Sequence, residues 1–104
     1  MGVYWVTFRL VDRTVEGRSY SDRYQALVDA ANEHATDAWD EPTSFWLIES
    51  SSTRAQIAAS MRRAIATSSD LVLIGSMEHT GATLIGTTSK LAALKRLVPN
   101  LIIS

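Results

Sequence analysis

Cysteine is absent, which removes disulfides, thiolate nucleophiles and cysteine-ligated zinc, and fits a reducing, cytoplasmic setting. Also missing is any apolar run near the roughly 18–20 residues that a membrane-spanning helix needs. The chain opens on strand-like residues instead of a charged segment followed by an apolar one. The expectation is a soluble cytoplasmic protein with no membrane partner. Charge of one sign is not in excess either: ten basic against eleven acidic residues leave a formal net charge of -1. No global positive field draws in nucleic acid, so any such contact is local. Lysine is scarce, with only Lys90 and Lys95 among the basic residues. The arginines that replace it suit phosphates, although a GC-rich genome produces the same bias.

What is present has the composition of an ordinary globular domain. With 104 residues and 46% hydrophobic content, residues 1–104 fit a single domain, long enough to bury roughly two-thirds of the surface its unfolded form exposes. Val3 to Asp12 is β-branched, aromatic or aliphatic almost throughout and reads as a central strand. Alternation puts Tyr4, Val6, Phe8 and Leu10 on one face, apolar enough to be core. Val3, Trp5, Thr7, Arg9 and Val11 fall on the other, which meets water or a partner.

Arg13 to Ser19 is polar, holds Gly17 and reads as a loop. Ser21 is placed to cap a helix, with Tyr20 before it as a staple. Tyr24, Leu27, Val28 and Ala31 follow helical spacing through Asp22 to His34, leaving Arg23 among the polar positions. Ala35 to Glu41, acidic and followed by Pro42, reads as an edge strand. Thr43 to Ser50, apolar on both faces, reads as a central strand joined to it by Glu41-Pro42-Thr43. Thr53 and Gln56 have capping-box spacing at the start of a second helix, and Leu71 to Ile74, bounded by Gly75, is a short buried strand. The order β-α-β-β-α-β predicts an α+β, ferredoxin-like sandwich over residues 1–77, with spatial strand order fourth, first, third, second. Residues 78–104 read as an extension. It begins with a turn-rich connection and continues into a helix capped by Ser89, with a stripe of Leu91, Leu94, Leu97 and Val98, stopped by Pro99. The apolar tail Leu101 to Ile103 can pair with the chain's own sheet edge or with a partner subunit.

Catalytic and cofactor patterns are weak. Gly81 to Thr88 (GATLIGTT) has the glycine separation of a phosphate loop, but Thr87 stands where lysine is needed and no helix follows at once. His34 and His79 lack a second ligand at metal spacing, Glu78 and His79 point apart on an extended chain, and His34 suits the C-terminal end of its helix. Asp37, Asp40 and Glu41 lack a glycine-turned calcium loop and read as a solvated edge. The serines lack a strained elbow and a His-Asp pair. No cofactor and no metal are expected. The sharper candidate is basic: Arg9 beside Trp5 and Thr7, with Arg13, Arg18 and Arg23 just beyond, would set phosphate contacts next to a stacking aromatic. Asp12, Glu16 and Asp22 interleave with them.

Four segments, Trp5 to Leu10, Gly17 to Leu27 (GRSYSDRYQAL), Ser44 to Ile48 and Asp70 to Ile74, give the first three-quarters of the chain a family likeness. It resembles the small SinR-like proteins of bacteria and their phages and, more distantly, the ferredoxin-like small nuclease subunit of CRISPR adaptation and the virulence-associated D toxins. The resemblance implies a homodimer built through the open sheet face or by the C-terminal strand, and Leu101, Ile102 and Ile103 suit the latter. In the CRISPR-associated relatives an aspartate near the end of the first strand holds a metal for phosphodiester cleavage. Arg9 stands at the matching place, and a guanidinium, always protonated, offers a metal no lone pair. The resulting expectation is a non-catalytic homodimer that contacts RNA or DNA, or a nucleic-acid-processing complex, through Arg9, Arg13, Arg18 and Arg23. Two alternatives stand beside it: a metal-dependent nuclease using the displaced Asp12, and an interaction module anchored by Trp5 and Trp46.

Overall fold

The computed structural model describes residues 1–41, 44–77 and 81–104, the side chain of Leu97 excepted. The expected Glu41-Pro42-Thr43 connection and the Glu78-His79 pair therefore fall wholly or partly outside the described residues. In chain order the elements are β1 (Gly2–Arg9), α1 (Tyr20–His34), β2 (Ala35–Trp39), β3 (Phe45–Ser50), α2 (Arg54–Ala64), β4 (Leu71–Ser76), β5 (Ala82–Gly86), α3 (Leu91–Leu97) and β6 (Ile102–Ile103). The strands form one sheet in the order β2-β3-β1-β4-β5-β6.

β1 is interior, as its run of strand-forming residues predicts. It pairs antiparallel with β3 and β4, so that Val6 lies opposite both Trp46 and Ile74. The strand is shorter than Val3 to Asp12: it ends at Arg9, and Val11 to Arg13 turn away, the Arg13 N–H donating to the Val11 carbonyl. β4 is not at an edge. The stretch read as a turn-rich connection contains β5, antiparallel to β4, with Ile74 opposite Thr83 and Gly75 opposite Ala82. Glycines at both ends disguised it. Gly86, at φ +98°, lets the backbone pass so close to Asp70 that any Cβ would collide with the Asp70 carbonyl. The tail pairs parallel with β5 in its own sheet, Ile102 beside Thr83 and Ile103 beside Leu84.

Helix starts follow from side-chain caps. Ser19, not Ser21, is the N-cap of α1, its hydroxyl accepting from the Asp22 N–H at 3.0 Å. The expected capping box is present at α2: Thr53 Oγ1 accepts from the Gln56 N–H and Gln56 Oε1 from the Thr53 N–H. Ser89 does not cap α3, whose N-cap is Lys90 without a side-chain bond. Leu27, Ala30 and Ala31 of α1 and Ile57, Ala58, Met61 and Ala64 of α2 pack on Tyr4, Val6, Phe8, Trp46, Ile48, Val72 and Ile74, closing one face of the sheet. The connection from β5 to β6 runs through α3, and Leu84, which points to the opposite face beside Leu73, is buried. Among the described residues no helix is long and apolar enough to cross a membrane.

Candidate functional site

The four arginines of the expected basic patch do not form one. Arg23 and Asp70 are both 0% exposed and form an ion pair, Arg23 Nε donating to Asp70 Oδ2 at 2.8 Å. The rest of the fork is committed too. Nη1 donates to the carbonyls of Arg13 and Arg18, and Nη2 to the Val11 carbonyl at 2.7 Å and to Asp70 Oδ1. No donor remains for a phosphate. Arg18 is half-buried and spends its guanidinium on the carbonyls of Arg63, Ala64 and Ile65, the orphan acceptors at the end of α2. Only Arg9 and Arg13 stay exposed. Arg9 Nη2 reaches the carbonyls of Ser69 and Thr87, and Arg13 Nη2 the Ser69 hydroxyl at 3.4 Å.

Asp70 ties this end of the domain together. Its carboxylate also accepts from the backbone N–H groups of Val11 and Ala66, each at 3.0 Å. Burial by itself pushes the carboxyl up. The Arg23 hydrogen bonds, the two backbone donors and the Arg23 charge outweigh that and hold it below its ordinary value. Asp12 lies exposed in the turn after β1. Among the described residues no three His, Cys, Asp or Glu side chains converge where they could hold a metal ion.

The second candidate is the sheet face that α1 and α2 leave uncovered. Strand alternation places Val3, Trp5, Thr7 and Arg9 there, with Phe45, Leu47 and Glu49 from β3 and Leu71 and Leu73 from β4. Of these Arg9 is exposed and the others are half-buried. The Trp5 indole lies over Gly75 on the neighbouring strand, where a Cβ would strike the ring, so the glycine that read as a strand stop is a seat for the tryptophan. Trp39, 47% exposed, meets Phe45 edge-on at the β2 edge. Trp46 is a correction: it is 5% exposed and packs on Phe8 beneath the helices, with ring centroids 4.7 Å apart, so it cannot anchor an outer interface. The charges on the open face are segregated. Glu49 and its cross-strand neighbour Asp37 lie beside Val3 at one end, and Arg9 lies at the other. Leu101 precedes β6, and Ile102 and Ile103, on opposite faces of it, remain half-exposed.

Other residues take quieter roles. Each ring nitrogen of His34 lies within hydrogen-bond distance of a serine hydroxyl, Nδ1 to Ser52 at 2.8 Å and Nε2 to Ser60 at 2.7 Å, which staples the end of α1 to the β3-α2 junction and to the body of α2. Asp37, Asp40 and Glu41 are exposed, at or just after the edge strand. Sequence reading missed the role of Asp70 and the burial of Arg23. An aspartate directly before an apolar strand was the available signal, but its partner lies 47 residues away. With this geometry in hand, comparison with known proteins finds no family model, no curated protein and no solved structure that matches the chain.

Proposed function

We propose that this chain is a non-catalytic, homodimeric module whose two copies assemble through their open sheet faces. The observation that carries the reading is the row of half-buried Val3, Trp5, Phe45, Leu47, Leu71 and Leu73 on the face that α1 and α2 leave uncovered. Contiguous apolar surface of that kind marks an interaction site. Charge placement selects a second copy as the occupant. A two-fold axis running across the strands turns the Arg9 end of one sheet over the Glu49 and Asp37 end of the other, so one patch is complementary to itself. The ferredoxin-like reading of residues 1–77, and with it the likeness to SinR-like proteins, draws support from the β2-β3-β1-β4 order, from β1 antiparallel to both neighbours, and from α1 and α2 packed on one face. Sedimentation of the pure chain is expected to give a dimer. Trp5→Arg and Leu73→Arg, which keep the helix-covered core, are each expected to give a folded monomer. A wild-type monomer at every concentration tested, or dimers in both variants, rejects the reading.

A second reading, contact with nucleic acid, rests on Arg9 and Arg13, which remain exposed at one end of the sheet with their guanidinium groups only partly engaged. Two arginines from each subunit make about four phosphate contacts, so log affinity should fall with log salt at a slope of roughly -3 to -4. Binding that ignores salt, or survives Arg9→Ala with Arg13→Ala, removes this reading. The nuclease alternative is disfavoured by Arg9 at the end of β1 and by the separation of the exposed Asp12 from that strand.

A further inference from the structure

On the helix-covered side, beyond the N-terminal turn of α2, an open cleft of about 630 Å³ lies between that turn, the ends of β4 and β5, and β6. Its size falls within the few hundred to a thousand Å³ typical of small-molecule sites, and its chemistry is that of an anion receptor. Among the described residues no Asp or Glu side chain lines it, and Arg54 is the charged side chain of those in its wall. One arm of that guanidinium is fixed, Nη1 donating to the Gly81 carbonyl at 2.9 Å, which orients the group and leaves other N–H donors over. The helix terminus adds to this. In the first turn of α2 the Gln56 N–H is taken by Thr53 Oγ1 and the Ile57 N–H by the Thr53 carbonyl. The Arg54 and Ala55 N–H groups have no acceptor within the helix, and both residues line the cleft.

An independent observation comes from β5. Thr83 is 4% exposed, points to the helix-covered side with Ile74, and lines the same cleft. Its hydroxyl has no hydrogen-bond partner among the described residues, whereas a threonine so deeply placed ordinarily finds one. No side-chain N or O atom that is fully shut away among them lacks a partner, so the Thr83 hydroxyl is reached from the cleft. Ile102, beside Thr83 on the paired strand, and Ala58 of α2 add apolar lining. A phosphate alone would leave most of the volume empty, and the apolar lining suits an attached organic group.

We propose that this cleft binds a small phosphomonoester, its phosphate held by Arg54, Thr83 and the free N–H groups at the start of α2. The test is titration of the full chain, followed by backbone amide NMR, with inorganic phosphate, with glycerol 3-phosphate against glycerol, and with a 5′-phosphorylated dT tetramer against its 5′-hydroxyl form. The expected result is saturable shifts at Arg54, Ala55 and Thr83, tighter for glycerol 3-phosphate than for inorganic phosphate and absent for glycerol. Thr83→Val, nearly isosteric, and Arg54→Gln should each weaken binding at least tenfold. If Arg54→Gln does not fold for want of the Gly81 contact, Thr83→Val decides alone. Shifts that match those from sodium chloride at equal ionic strength, or that persist unchanged in Thr83→Val, overturn the proposal. A tetramer that binds through its 5′-phosphate more tightly than glycerol 3-phosphate overturns the assignment to a small molecule.

Discussion

Tyr4, Val6 and Phe8 alternate along β1 with Val3, Trp5 and Thr7, and the two sets meet different neighbours. The first set disappears under α1 and α2, in a layer where even the buried charges are internally matched. The second set is as rich in apolar atoms, yet α1 and α2 leave it uncovered and its charges sit at opposite ends, Arg9 and Glu49. A face that completes itself serves folding. A face that is apolar, incompletely covered and polar in one direction is the one on which the proposed association rests, because burial forgone within the chain would be recovered against a partner.

The sharpest way to break the covered side is through its ion pair. Asp70→Ala leaves Arg23 charged, wholly buried and short of an acceptor, and removes the anchor for the Val11 and Ala66 N–H groups. Loss of one partner of such a pair costs about 3–5 kcal/mol, to be read from urea unfolding, whereas Arg9→Gln on the open side should stay within about 0.5 kcal/mol. Acid should repeat the result without mutation. Asp70 titrates below its ordinary value of 3.8 in the folded chain. Its contribution is therefore complete above the unfolded value and is lost as pH falls through the lower folded one. Asp70→Asn should flatten that part of the stability profile. A variant that keeps the full acid dependence would assign it to other carboxylates.

How much of this was legible beforehand differs by residue. Strand alternation and helix periodicity carry the covered core, because Tyr4, Val6 and Phe8, Leu27 and Ala31, and Ile57 and Met61 recur at the spacings their elements impose. The Thr53-Gln56 box is local and was readable for the same reason. Arg23 was not. Its helical position groups it with solvated residues, and only the long-range meeting with Asp70 and three loop carbonyls makes burial tolerable. Trp46 misled in the opposite direction: β3 is apolar on both faces, and composition does not say which face the helices cover. β5 was hidden because Gly81 and Gly86 bracket a strand of only five residues. The candidate patch failed for a related reason. Nearness in sequence put four arginines together, but Arg18 is spent on carbonyls at the end of α2 and Arg23 on Asp70 and the carbonyls of the loop before its helix.

Next in size comes a pair of adjacent residues on β4. Ile74 is fully buried under the helices and Leu73 points the other way, half-buried. Ile74→Ala should cost about 2–5 kcal/mol at any protein concentration, as a cavity in a closed core does. Leu73→Ala should cost less than that in dilute solution. On the proposed dimer its effect should grow with protein concentration, because dimerisation would stabilise the folded wild type by mass action and the variant less so. Thermal unfolding of both variants across a concentration series separates the cases. A concentration-independent loss at Leu73 equal to that at Ile74 would make the two faces energetically alike and remove the distinction between them.

The smallest effect belongs to the charges, and it bears most directly on geometry. If the two-fold axis crosses the strands, Arg9 of one copy lies near Glu49 of the other. Arg9→Glu and Glu49→Arg should then each weaken the dimer, by about 0.5–1 kcal/mol, as like charges meet at an interface rim. The double exchange restores opposite charges across the axis and should recover most of the loss, giving a coupling energy of similar size in a double-mutant cycle. Within one chain the two residues sit at opposite ends of the sheet, Arg9 beside Leu71 and Glu49 beside Val3, too far apart to couple directly. Recovery in the double variant must therefore come from the partner. Strict additivity, measured by sedimentation at low salt where screening is weakest, would mean that the copies meet in another orientation.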